Sequence, residues 1–188
     1  MNNDLFILGK LKNSDKRAVA VVGSREMTAR GKKLTEDFVK EFVKEKITIV
    51  SGLARGIDTI AHKTALDSGG RTIAVLGSGI DVIYPPENKK LAEEIAKNGA
   101  VVSGFPYGMK PIAKNFLARN QLIVKLSQVV LVVEGKRRSG TISTANHAAN
   151  EDTEVFAIPG SEVTDYLIEN GASIANSPQD VLEYLNAR

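Results

Sequence analysis

Six short apolar runs rich in β-branched residues set the limits on what this chain can fold into. They lie at Ala18–Val22, Ile47–Val50, Thr72–Leu76, Val101–Ser103, Val129–Val133 and Val155–Ile158. Each is too short for a helix, and most are continuous rather than alternating. Strands of that kind need cover on both faces. Between them the pattern changes to a helical period. It predicts helices at about Thr28–Lys44, Ile57–Asp67, Asn88–Lys97, Phe116–Leu126 and Thr141–Asn150. In the first of these Leu34, Phe38, Val39 and Phe42 fall on one stripe. Strand and helix in alternation imply an α/β fold with a doubly wound, mostly parallel sheet and right-handed crossovers. The tail adds a segment at Tyr166–Asn170, an extended piece near Ser173–Ala175, and a final helix that Ser177 caps and Pro178 opens.

The chain has 188 residues, 43% of them hydrophobic, enough for one domain with a real core. No linker or repeat divides it, so residues 1–188 read as a single domain. The first sixteen residues form a lead-in, with an edge strand expected at Leu5–Leu8. Cysteine is absent, which excludes disulfides and thiolate metal sites. No apolar run approaches the ~20 residues of a membrane span, and the N-terminus does not resemble a signal peptide. The expectation is a soluble, cytoplasmic protein that does not engage membranes. Net charge is only +3. Between Lys110 and Arg138, however, Lys110, Lys114, Arg119, Lys125, Lys136, Arg137 and Arg138 face one acid, Glu134. Such a local excess suits a polyanion or a solvated basic face.

Glycine-rich breaks follow several strands where helices begin. Gly23-Ser24-Arg25 follows the first. Glycine lets backbone N–H groups approach a phosphate, serine can donate to one oxygen, and arginine can fork onto two. Ser51, Gly52, Arg55 and Gly56 occupy the second break, ahead of Asp58 and, four residues on, His62. Asp58 suits the first helical turn and can pin a nearby arginine. An Asp–His pair can be half of a triad, but no Gly-x-Ser-x-Gly elbow supplies a nucleophile. A hydrogen-bonded pair that holds the loop is the better reading. Gly77-Ser-Gly-Ile-Asp81 follows the third strand and runs into Tyr84-Pro85-Pro86. Farther on, Phe116 suits base stacking, Arg119 suits a phosphate, and Asn120 suits a base edge or a loop contact. Core packing and helix capping explain Phe116 and Asn120 about as well. Ser139-Gly140-Thr141 opens another helix directly after Lys136 to Arg138, an arrangement that favours an anion site. Both the dinucleotide fingerprint and the P-loop pattern are absent.

Taken in order, these pieces resemble the DNA-processing protein A (DprA, or Smf) family. The matching residues are Val21-Val-Gly-Ser-Arg25, Ser51-Gly-Leu-Ala-Arg-Gly-Ile-Asp58 with Ala61-His62, and Thr72-Ile-Ala-Val-Leu-Gly-Ser-Gly79. They continue with Tyr84-Pro85 and Asn88, Phe116 with Arg119-Asn120, Ser139-Gly-Thr141 with Thr144-Ala145, and Ala157-Ile-Pro-Gly160. The resemblance covers roughly residues 5 to 175. It implies an extended Rossmann-like core that binds single-stranded DNA without catalysis, cofactor or metal. It also implies roles in natural transformation and RecA loading, with the RecA recombinase as partner, and a homodimer. The family's groove implies DNA contacts at Arg25, Lys114, Phe116 and Arg119. This sequence departs from the family pattern at Gln121, at Ser103-Gly-Phe-Pro106 and in the short Ser161–Asp165 loop. The expectation is a Rossmann-like core alone, without the N-terminal helical domain and the C-terminal winged helix that family members often carry. The competing expectation is a Rossmann-like phosphoribohydrolase or nucleotide sensor. Gly140-Thr141 fits that class, but its glutamate is missing.

Overall fold

The strands form one eight-stranded sheet in the order β1-β5-β4-β3-β2-β6-β7-β8 in a computed structural model that describes residues 5–137 and 139–187. Arg138, one of the cations counted above, lies outside the described residues, as does the start of the lead-in, residues 1–4. The strands are β1 (Phe6–Gly9), β2 (Ala18–Val22), β3 (Thr48–Ser51), β4 (Thr72–Leu76), β5 (Ala100–Ser103), β6 (Val129–Val132), β7 (Glu154–Ala157) and β8 (Ser173–Ile174). The helices are α1 (Ala29–Lys44), α2 (Ile57–Asp67), α3 (Lys89–Asn98), α4 (Ala113–Lys125), α5 (Gly140–Asn150), α6 (Glu162–Glu169) and α7 (Pro178–Asn186). All strand pairs are parallel except β1–β5, where Phe6 pairs with Ser103 and Gly9 with Ala100.

Alternation along the strands divides the core between two layers. Val19 and Val21 of β2 join Ile49 and Leu131 beneath Phe38 and Phe42 of α1, Ala61 of α2 and Leu182 of α7. Ala20 and Val22 face the other way, with Val130 and Val132, toward Ile123 of α4, Ala145 of α5 and Val163 of α6. Every residue of β2 is buried, which is why its run is continuously apolar. A third cluster packs Leu91 and Ile95 of α3 against Leu76 and Val101. Arg17, just before β2, donates to the Asn186 side chain at the end of α7 (2.6 Å) and to the Glu45 carbonyl after α1. No helix among the described residues is long and apolar enough to cross a membrane.

The expected bounds of β2, β4 and α2 coincide with those observed. Others shift by one to three residues. The larger difference is α6, which occupies Glu162–Glu169 rather than the expected segment at Tyr166–Asn170. Ser161 and Thr164 form a reciprocal capping box that starts it early.

Candidate nucleic-acid interface

β2 lies between β3 on one side and β6 on the other. Chain order reverses there, and in open α/β sheets the carboxyl ends of strands at such a point border a crevice. A cavity of about 580 Å³ sits in that position. The β2–α1 loop, the first turns of α4 and α5, and Lys136 contribute to its walls.

Helices α1, α2, α4 and α5 begin at this edge, and buried carboxylates take up backbone N–H groups at α1 and in the loop before α2. At α1, Glu134 accepts from the Thr28 backbone N–H (2.6 Å) and the Thr28 hydroxyl (2.7 Å), and it is only 5% exposed. Gly31 makes room for it, since a Cβ there would lie 2.2 Å from the Glu134 carboxyl carbon. At the loop before α2, Asp58 accepts from the N–H groups of Gly52 (3.1 Å) and Ala54 (3.3 Å). Burial raises the Asp58 pKa, while Arg119 and these N–H groups favour its ionised form. Among the described residues no side chain caps the first turn of α5, the Ser139 hydroxyl has no partner, and nothing lies close to where a Cβ of Gly140 would be. The α5 N-terminus therefore retains the character that attracts an anion.

These geometries correct several sequence-based assignments. Ser51 is buried and its hydroxyl donates to the Val21 carbonyl (2.7 Å), so it ties β3 to β2 instead of meeting phosphate. The Gly52 N–H is committed to Asp58. Arg55 is exposed and ion-paired with Glu87 at 2.6 Å. Gly56 adopts a φ of 73°, and a Cβ there would lie 2.1 Å from the Ser24 carbonyl oxygen. That close approach lets the Ile57 N–H bond Ser24 (3.0 Å) and joins the first two loops. Gly23 admits Ile57 in the same way.

Arg119 is deeply engaged by its neighbours. Its guanidinium is buried, 5% exposed, and donates to the carbonyls of Gly52 (2.5 Å) and Val75. Burial lowers its pKa to about 10, with Arg25 adding to the effect and Asp58 opposing it, so it remains charged at neutral pH. Through Nη1 this buried cation joins α4 to the β3 and β4 ends, and the residue also lines the crevice. Asn120 is buried as well and donates to the Gly140 carbonyl (3.2 Å), which locates α5. Asp58 and His62 do not bond to each other. His62 Nδ1 pairs with the Thr72 hydroxyl (2.6 Å), which itself donates to Ile49. Full burial, then the charge of Arg119, pushes the His62 pKa down to about 3. A neutral imidazole with no hydrogen bond to Asp58 is not half of a triad.

Asp58, Arg119 and Asn120 line the crevice together with a more accessible set. Arg25 is exposed, has no carboxylate partner among the described residues, and lies 5.4 Å from the centroid of the half-buried Phe116 ring. Arg119 lies 5.8 Å from the same ring, and Tyr84 packs against it at 5.6 Å. Gly77 leaves room for Phe116, because a Cβ there would meet the ring at 2.6 Å. The Ser24 hydroxyl accepts from Glu26 N–H, and the Ser24 N–H is used on the Glu134 carbonyl. Lys114 is exposed on the first turn of α4. Thr141 is buried at the start of α5. Lys136 reaches Glu26 at 3.4 Å with both side chains exposed, a weak pair that an anion can displace. Sequence reasoning placed Lys136 beside the expected anion site at Ser139-Gly140-Thr141 without naming it as a contact. It also overlooked Glu134, although a lone acid ending a strand at a basic edge is a visible signal. Among the described residues no group of His, Cys, Asp or Glu is arranged to hold a metal ion.

The family model for DNA recombination-mediator protein A matches residues 3–186. The chain belongs to this DprA/Smf family. It is 44% identical over 184 residues to DNA processing protein DprA of Streptococcus pneumoniae, covering 95% of this chain and 65% of that protein. It is 42% identical over 193 residues to protein Smf of Synechocystis, covering 97% and 48%. The chain thus spans about half to two-thirds of the length of these relatives. The solved structure of DNA processing protein A from Helicobacter pylori superposes with a TM-score of 0.90 at 34% identity, covering 98% of this chain and 87% of that one. That DprA protein binds single-stranded DNA.

Proposed function

We propose that this chain binds single-stranded DNA, without catalysis, along the crevice at the carboxyl edge of the sheet. One observation carries the reading: the N-terminus of α5 and Arg25, neither with a carboxylate partner among the described residues, share a groove with the half-buried Phe116. Phosphate is drawn to the helix end and the guanidinium, and a base stacks on the ring. Gly23, Ser24, Lys114, Ser139, Gly140 and Thr141 belong to that contact surface. Ser51, Gly52, Arg55, Gly56 and His62 act behind it, while Asp58, Arg119 and Asn120 line the crevice and hold its wall together. Family membership supports a place in DNA processing and natural transformation, with RecA as the partner recombinase, a homodimer as the assembly, and the cytoplasm as the site of action.

Fluorescence polarisation of labelled oligo-dT at two salt concentrations tests the proposal. Affinity falls steeply as salt rises, and Arg25→Ala lowers both the affinity and the salt slope, the latter by about one. Absence of binding by the native chain at low salt refutes it. The cavity volume also suits a small ligand, which favours a mononucleotide sensor or hydrolase as the second reading. A nucleotide that raises the melting temperature while oligo-dT fails to bind would establish that alternative. Release of adenine from AMP would make it an enzyme.

A further inference from the structure

The connection from β5 into α4 carries three of the most exposed large apolar side chains: Tyr107 (66%), Ile112 (50%) and Leu117 (51%). Scattered apolar residues on a surface need no explanation, but three within eleven residues do. The stretch from Phe105 to Lys125 contains no acid. Lys110 and Lys114 are exposed within it and lack a carboxylate partner among the described residues.

The connection is held in place. The Gly79 N–H donates to the Met109 carbonyl (2.9 Å), and the Gly108 N–H donates to Asp81 (2.9 Å). The Tyr107 ring meets Phe6 edge-on, with centroids 5.3 Å apart. Exposure of Tyr107 therefore does not come from a loose loop. Leu117 follows Phe116 on α4, and both line the crevice. Tyr107 and Ile112 are five residues apart, so chain reach keeps them within about 18 Å. An apolar surface with unpaired cations complements a polyanion that exposes flat apolar faces. Single-stranded DNA has that chemistry, whereas a duplex keeps its bases stacked inside.

We propose that Tyr107, with Ile112 and Leu117, forms a base-stacking shelf that continues the crevice outward, while Lys110 and Lys114 neutralise the accompanying phosphates. The shelf rests on the single-stranded DNA reading of the crevice and extends it to a second contact region. Bases leaving Phe116 pass onto an aliphatic step and then onto the tyrosine ring. Stacking of this kind tolerates any base sequence.

The chain has no tryptophan, so Tyr107→Trp introduces a single indole as a reporter. Oligo-dT quenches its fluorescence, and an abasic deoxyribose-phosphate oligomer of equal length does not. In polarisation assays Tyr107→Ala weakens oligo-dT binding about fivefold or more and leaves the abasic oligomer unchanged. If the native chain binds oligo-dT but the new indole is not quenched, the shelf is wrong and the crevice stands. Equal losses for the two oligomers overturn it as well, since only phosphate contact would be involved. If native chain fails to bind oligo-dT at low salt, the crevice reading falls and the shelf with it. Sedimentation of a native oligomer that Tyr107→Ala dissociates would assign the patch to a protein interface and overturn the proposal.

Discussion

Replacing Arg119 separates a buried positioning role from a DNA contact. Arg119→Met keeps much of the volume and removes the charge. Two buried carbonyls, Gly52 and Val75, then lose their donors, and each such loss costs about 1–3 kcal/mol. Asp58 also loses the cation that offsets its burial. Removing one partner from a buried charged arrangement costs about 3–5 kcal/mol in total. With a urea m-value of about 2 kcal/mol/M, the unfolding midpoint falls by about 1.5–2.5 M. An exposed, phosphate-gripping arginine would instead cost at most about 1 kcal/mol. A double-mutant cycle sharpens the test. A Cβ at Gly52 would lie 2.3 Å from Arg119 Nη1, so Gly52→Ala destabilises the native chain. In the Arg119→Met background that obstruction is gone, and the cycle shows a coupling of about 1 kcal/mol or more. Strict additivity, or Arg119→Met with native stability and lost oligo-dT affinity, would refute the keystone role.

Three further outcomes are expected. His62 has a folded-state pKa of about 3 against an unfolded value near 6.5, so its contribution is complete above pH 6.5 and declines as pH falls; at pH 5 the loss is about 2 kcal/mol. Urea denaturation at pH 7 and pH 5 shows that extra loss in the native chain and not in His62→Gln. Glu134→Ala strips the carboxylate from the α1 N-terminus and costs about 1–3 kcal/mol by the same denaturation assay. Gly77→Ala forces the Phe116 ring away from Arg25, which lowers oligo-dT affinity and costs about 1–3 kcal/mol of stability measured in parallel.

The strands and helices were legible because burial on both faces leaves a continuous apolar signature, as in β2 and β4. Boundaries slipped where a polar side chain found an unexpected partner. Ser51 ends β3 because its hydroxyl bonds across to Val21. Helix α6 starts early because Thr164 does the work that Glu or Gln usually does in a capping box. The loops of the crevice were visible as glycine-rich breaks, but their occupancy was not. Thr28 and Glu134 meet across 106 positions of chain, and Arg119 reaches Gly52 across 67. Nothing local marks such pairs. The consequence was to read Arg119 and the Ser51–Gly56 loop as ligand contacts when their polar groups serve the protein itself. In the first loop Arg25 lies beside Phe116 and has no carboxylate partner among the described residues.

The antiparallel course of β1 decides where attachments to this chain would sit. Because Phe6 pairs with Ser103 at the carboxyl end of β5, the polypeptide enters the sheet beside Tyr107, on the crevice side. The far end of α7 is held to Arg17 at the opposite rim, through Asn186. A fluorophore, purification handle or fused module joined at Leu5 would therefore leave from the crevice rim and compete for its space. The same group joined behind α7 would leave from the other rim. Surface capture through the carboxyl terminus presents the crevice to solution, whereas capture through the amino terminus turns it toward the support.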